Sequence, residues 1–189
     1  NEMRKIRIFE HISLDGVIEH DKDFKYPGWI APYRNPEEMP LLLEVWGNGF
    51  DILLGRKTYD GFLGYWPKAG DFPMSNALNA ATKYVVTHRP ESLEWGPVKG
   101  FSGNFIEDLH NLKQSDGPDL VVMGSISLTS ELLDSGLVDE VILIVYPILM
   151  GHGRRILSDN FDARKLEMVK TSTTRTGLLI NTYRHLGAL

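Results

Sequence analysis

Leu120 to Leu133 reads LVVMGSISLTSELL, and the class of the fold turns on it. Leu120-Val121-Val122-Met123 is a short, apolar, β-branched run with the length of a buried strand. Gly124 breaks it. Ser125, Ser127, Thr129 and Ser130 then lead into Leu128, Leu132 and Leu133 at helical spacing. The pattern predicts strand, glycine turn, helix. The first turn of a helix leaves N–H groups unpaired and carries a partial positive charge, so such a junction can seat a phosphate. It can equally be a plain connection.

The same alternation recurs outward from this stretch. On the N-terminal side, Arg4–Ile12 is a first strand with Ile6, Ile8 and Ile12 on alternate positions, ending in the turn Ser13-Leu14-Asp15-Gly16. Val17 and Ile18 lead into a long polar loop from Glu19 to Arg34 that holds Trp29, and a loop of that length in a compact domain is often functional. Asn35-Pro36-Glu37-Glu38 starts a helix, with Asn35 as cap and Pro36 in the first position. Phe50–Leu54 is the second strand, closed by Gly55, and Tyr59, Phe62 and Leu63 suggest a short helix after it. Ser75–Ala81 is a brief helix, Tyr84–Thr87 a third strand, Val98–Phe101 a short strand and Asn104–Lys113 a helix. On the C-terminal side, Val141–Ile148 is a long strand, and Leu166–Thr173 with Leu178–Arg184 form a hairpin. The expectation is a three-layer α/β/α domain over residues 1–189, with a mainly parallel central sheet and an antiparallel C-terminal hairpin.

Composition narrows the chemistry. The net charge of −5 lacks the basic excess of a general nucleic-acid binder, although a local basic pocket would still take a phosphorylated small molecule. No apolar run reaches membrane-spanning length. NEMRKIRIF runs straight into a strand pattern without a signal peptide's apolar core, and the chain has no cysteine, so the expected location is cytoplasmic. The six histidines show no metal-ligand spacing, and no metal is expected. No G-x-G-x-x-G follows the first strand, no G-x-x-x-x-G-K-[ST] is present, and there is no G-x-S-x-G elbow.

Three strand ends carry ligand-like residues: Gly55-Arg56-Lys57-Thr58, Thr87-His88-Arg89 and Gly124-Ser125-Ile126-Ser127-Leu128. Ligands of an open parallel sheet bind outside the carboxyl ends of its strands. Arg offers a bidentate grip on phosphate, Lys a point charge and Thr a hydroxyl.

Ser13–Gly16, Leu54–Tyr59, Val121–Ser125, Gly136–Glu140 and Pro147–Gly153 fall in an order that resembles the dihydrofolate reductase-like superfamily. The chain is most similar to the branch containing the C-terminal reductase domain of the riboflavin-biosynthesis deaminase–reductase, RibD. The resemblance implies an eight-stranded sheet and an NADPH cofactor. It places Arg56, Lys57 and Thr58 at the cofactor's phosphates, and Thr87, His88 and Arg89 near the adenine ribose, with Arg56 or Arg89 selecting NADPH. Gly124 to Leu128 would hold the pyrophosphate. His11, Ile12 and Ile18 would touch the nicotinamide, and the Trp29 loop would be a mobile lid. Asp15 and Glu38 are the acids nearest the implied site, as catalytic residues or as turn former and helix cap. The implied activity is NADPH-dependent reduction of a pterin- or pyrimidine-type heterocycle. Alternatives are reduction of 5-amino-6-(5-phosphoribosylamino)uracil in riboflavin biosynthesis and a non-catalytic NADPH sensor. Met39 to Trp46 holds no Arg or Lys, a departure from the basic helix that a ribose-phosphate substrate calls for. A homodimer is also implied.

Overall fold

The computed structural model describes residues 3–47, 49–101, 104–157 and 159–189. Strand β1 (Ile6–Ser13) runs through the middle of an eight-stranded sheet. It can do so because it is apolar on both faces. Ile6 and Ile8 join one core layer and Phe9 the other. Its neighbours are β6 (Asp119–Met123) and β7 (Glu140–Tyr146), both parallel to it. Beyond β6 lie β3 (Phe50–Gly55), β4 (Lys83–Val86) and β5 (Val98–Phe101), also parallel. Beyond β7 the hairpin of β10 (Leu179–Ala188) and β9 (Arg164–Thr173) closes the sheet antiparallel.

Period-2 alternation sorts the side chains into two layers. Ile52 and Leu54 face α1 (Glu38–Trp46), α2 (Arg56–Leu63) and α3 (Pro73–Ala80), whose Leu42, Trp46, Tyr59, Met74 and Leu78 fill that layer. Leu53, Leu120 and Val122 face α4 (Phe105–Gln114) and α5 (Ile126–Asp134), which contribute Phe105, Leu109, Leu128 and Leu132. The three-layer, mainly parallel expectation holds.

At the amino ends of the strands, buried charges are paired. Arg4 Nη2 lies 2.6 Å from Asp51 Oδ2. Arg7 reaches Glu140 Oε1 at 2.6 Å and Asp119 Oδ2 at 2.8 Å. Lys113 pairs with Asp139, whose Oδ2 also accepts from the Ile6 N–H at 2.8 Å. Lys83 is fully buried and donates to the carbonyls of Leu78, Asn79 and Ala81 at the end of α3.

Three local readings change. Helix α1 starts at Glu38 rather than Pro36, because Asn35 Oδ1 accepts from the Glu37 N–H at 2.9 Å and closes a turn first. The short helix suggested by Tyr59, Phe62 and Leu63 begins earlier, with Arg56 to Thr58 as the first turn of α2. A two-stranded ribbon of β2 (Val17–Glu19) and β8 (Arg154–Arg155) has no counterpart in the sequence reading. Segments of three and two residues are too short to show periodicity.

Candidate active site

The carboxyl ends of β1, β3 and β6 open onto two adjoining cavities. The smaller, about 310 Å³, is walled by Gly55 to Thr58, Gly124 to Ser127, Glu19 and Arg154. The larger, about 740 Å³, is lined by aromatic and aliphatic side chains from β1, α1, α2 and α3, among them Phe9, Trp46, Phe62, Trp66 and Phe72, with Glu10, His11, Arg34, Asn35 and Glu38 among its polar members. Glu10, Ile18 and Gly124 line both.

The wall of the smaller cavity is locked from within. Gly124 and Ser125 both take left-handed backbone, φ +58° and +62°. Ser125 is the residue of interest, since a non-glycine in that region carries a steric cost that neighbouring bonds must offset. Those bonds are present: its Oγ accepts from the Gly55 N–H at 2.7 Å, and its N–H donates to Thr58 Oγ1 at 3.1 Å. At Gly124 an added Cβ would crowd Thr58 at 3.0 Å, so a side chain there is disfavoured by space as well as by φ. The ends of β3 and β6 are thereby fixed together. Helix α5 begins beside them, and its first N–H groups face outward by geometry.

Two carboxyls stand out in the larger cavity. Glu38 is only 5% exposed, and its carboxyl has no hydrogen-bond partner among the described residues. Burial pushes its pKa up, and the nearby Arg34 pulls it back. Glu10 is 6% exposed, and its Oε1 is a buried acceptor without a partner among the described residues. Burial, and then repulsion from Glu19, push its pKa up to about 8. Beside them His11 Nδ1 lies 2.6 Å from Tyr146 Oη. Burial, helped by Arg34, lowers the His11 pKa to about 4, so the imidazole is neutral. Trp29 packs edge-to-face on Tyr146 with centroids 5.2 Å apart, anchoring the long loop over this end of the cavity.

Residues 104–180 match the model of the RibD C-terminal domain. The structure of a putative riboflavin biosynthesis protein from Shewanella sp. PV-4 superimposes with a TM-score of 0.67 at 20% identity, over 96% of this chain and 98% of that one. A dihydrofolate reductase from Enterococcus faecalis, complexed with NADP(H) and RAB-propyl, superimposes at 0.63 with 16% identity, over 98% of each chain. The fold is dihydrofolate reductase-like. The uncharacterised protein YyaP of Bacillus subtilis (strain 168) is 29% identical over 140 residues, 72% of this chain and 74% of that protein.

On this dihydrofolate reductase-like frame the anticipated residues divide. Gly55, Arg56, Lys57, Thr58, Gly124, Ser125, Ile126 and Ser127 come together around the smaller cavity, with Ile18. Leu128 packs instead into the core layer beneath α5, as an apolar side chain on the inner face of that helix must. Ile12 is buried and lines neither cavity. Arg56 braces two strand ends, donating to Asp60 Oδ1 at 2.9 Å, Thr87 Oγ1 at 3.1 Å and the Arg89 carbonyl at 3.1 Å. Thr87 is buried, while His88 and Arg89 are exposed outside the cavity walls.

Asp15 is corrected as a catalytic candidate. Its carboxylate accepts from Ser13 Oγ at 2.6 Å and from the backbone N–H groups of Met150 at 3.0 Å and Gly151 at 2.7 Å. These bonds hold its pKa well below the carboxylate range, so it keeps no proton to give. It is the staple between β1 and the Pro147–Gly153 segment. Glu38 is the first residue of α1 rather than its cap, and the N-cap position, Glu37, makes no side-chain capping bond. Glu10 and Arg154 were missed. Arg154 was visible only as a cation after a glycine loop. Glu10 was visible as an acid among apolar neighbours in a central strand, the signal of a buried carboxyl.

Proposed function

We propose that the protein is an NADPH-dependent reductase of a small heterocycle. The observation that carries this reading is the pair of cavities meeting at Glu10, Ile18 and Gly124. One has the features of a dinucleotide seat: a helix N-terminus, backbone held in left-handed turns, and Arg56, Lys57 and Arg154 on its walls. The other suits a flat ring system, with aromatic walls and two carboxyls, Glu10 and Glu38, without a partner among the described residues. The residues present therefore fit a nicotinamide dinucleotide. The NADP(H) named with the Enterococcus faecalis structure supports the same reading. Bound there, the cofactor would supply two electrons as a hydride, and the protein's part is to bind, orient and exclude water.

Lys57, whose side chain is 88% exposed, and the α5 N-terminus would take the phosphates. Of the two arginines anticipated as selecting the 2′-phosphate, Arg89 has the guanidinium without a partner among the described residues, whereas Arg56 is already held by Asp60 and Thr87. Glu38 would accept hydrogen bonds from an amidine-like ring edge, as a buried carboxyl without partners requires. Arg34 is the single Lys or Arg among the residues lining the larger cavity, and Glu10 and Glu38 stand opposite it. That balance favours a heterocycle of pterin or pyrimidine type without a phosphate arm.

Thermal unfolding with NADPH and with NADH tests the reading. A nucleotide that binds only the folded state stabilises it by about 2.7 kcal/mol at a hundredfold excess over its dissociation constant. The expected result is a larger rise with NADPH than with NADH, the difference being lost in Arg89→Ala. No rise with either nucleotide overturns the reading. With a turned-over heterocycle in hand, Glu38→Gln is expected to lower kcat/KM by roughly tenfold or more, about 1.4 kcal/mol of transition-state binding.

A further inference from the structure

Glu10 has no place in the binding of phosphates or of an amidine edge, yet it is the most isolated charged side chain at the site. In β1 it follows Phe9, which is in register with Met123, so Glu10 lies beside the Gly124 turn where β6 ends. Its surroundings do not neutralise it. Glu19 of β2 faces it and repels it. Arg154 of β8 and Lys57 of α2 reach the cavity but point to Glu19, at 3.5 and 3.4 Å. Arg56 of α2 is turned to Asp60. On the other side stand neutral His11 of its own strand, Arg34 of the long loop, and Glu38 of α1. No Lys, Arg or His is within ion-pairing distance of Glu10 among the described residues. A bare carboxylate in that position is costly, and a polar atom left unpaired in a cavity wall awaits a partner from the ligand.

This step rests on the NADPH reading. A hydride passes only between atoms in contact, so the reactive ring must lie where the two cavities meet. Of the three residues shared there, only Glu10 titrates. We propose that Glu10 stands against the nicotinamide ring, protonated beside the reduced ring and ionised beside the oxidised one, so that proton loss from Glu10 accompanies the ring's gain of positive charge. The charges balance. The reduced ring and a protonated carboxyl are both neutral, and the oxidised ring and a carboxylate form an ion pair of zero net charge. The atoms balance too. The substrate gains one hydride and one proton, and the proton that leaves Glu10 is the one that reduction consumes. Glu10 is then a catalytic residue in contact with the cofactor, and it sets which redox form the protein holds.

The test is the affinity of the wild-type protein and of Glu10→Gln for NADPH and NADP⁺, titrated separately near pH 6 and near pH 9, roughly two units below and one above the Glu10 pKa of about 8. The 2′-phosphate titrates alike in both nucleotides and cancels in the ratio of dissociation constants. In wild type that ratio is expected to move toward NADP⁺ by about tenfold or more between the two pH values, since each unit below the pKa costs tenfold. In Glu10→Gln, which mimics the protonated carboxyl, the ratio is expected to be flat. A flat wild-type ratio, or the same slope in Glu10→Gln, overturns the inference while leaving the NADPH reading intact. Failure of both proteins to bind either nucleotide overturns both together.

Discussion

The two ends of the central sheet are built on opposite electrostatic plans. At the amino ends of β1, β3, β6 and β7, Arg4 and Arg7 are each matched to carboxylates, and Lys113 to Asp139. Backbone N–H groups fill some of the remaining acceptor capacity, as Thr82 does for Asp51. At the carboxyl ends of the same strands, Glu10 and Glu38 are as deeply buried and lack partners, and His11 is held neutral. Natural proteins satisfy most buried polar groups, and the exceptions mark sites where a ligand completes the set. At one end the charges of Arg4, Arg7 and Lys113 are matched by the chain itself. The other is complementary to something the chain does not contain.

Removing a charge should therefore have opposite consequences at the two ends. The largest effect is expected for Arg4→Met. It strands Asp51 without its cation, and breaking a buried pair costs about 3–5 kcal/mol. In urea unfolding the midpoint should fall with the slope unchanged.

At the carboxyl end, Glu10→Gln is expected to stabilise the nucleotide-free protein. The folded-state pKa, about 8, lies above the ordinary 4.5, so the folded protein binds more protons than the unfolded chain between these values. The stability tied to Glu10 is fully present below about pH 4.5 and is lost as pH rises through 8. Gln does not lose it, so the variant is expected to be the more stable protein near pH 9. Equal unfolding curves for the two proteins at that pH would remove the contrast.

His11 works in the other direction. Its folded pKa, about 4, lies below the ordinary 6.5, so the unfolded chain binds the extra proton. Its contribution is complete above pH 6.5 and is lost as pH falls toward 4. Across that window the loss is on the order of 2 kcal/mol. Between about 4.5 and 6.5 the Glu10 and His11 slopes oppose each other, and wild-type stability is expected to be nearly flat there. His11→Gln should uncover a fall in stability with rising pH, which denaturant titrations at several pH values would record.

The smallest effect is expected for Ser125→Ala. It leaves the Gly55 N–H without its acceptor, at a cost of about 1 kcal/mol. Thermal unfolding measures it directly.

The layers were legible because each central strand announces itself by a short β-branched run, and each helix by its spacing. Val121 to Gly124 is the clearest example, since nothing but a strand ending in a glycine turn fits it. That Gly55 to Thr58 and Gly124 to Ser127 stand at strand ends was legible as well, because local pattern suffices there. Asp15 and Glu38 could not be ranked from sequence. Both are acids near a turn, and only distant neighbours separate them: Met150 and Gly151 hold one, while an aromatic cavity faces the other. The side chain of Leu128 follows the helical spacing it shares with Leu132 and Leu133, and all three pack into one core layer. Glu10 shares the alternate face of Ile6, Ile8 and Ile12, which hints at burial, but the parallel neighbours that bury it are over a hundred residues away, so its lack of a partner was not legible.

The central claim is that the unfinished end of the sheet is completed by a reduced nicotinamide dinucleotide. Tryptophan-sensitised nicotinamide fluorescence tests it most directly, because Trp46 and Trp66 line the cavity next to the proposed ring position. Titration with NADPH under tryptophan excitation should quench tryptophan emission and raise nicotinamide emission to a plateau, with NADH needing higher concentrations to do the same. Unchanged tryptophan emission, with no sensitised nicotinamide signal from either nucleotide, would contradict the account.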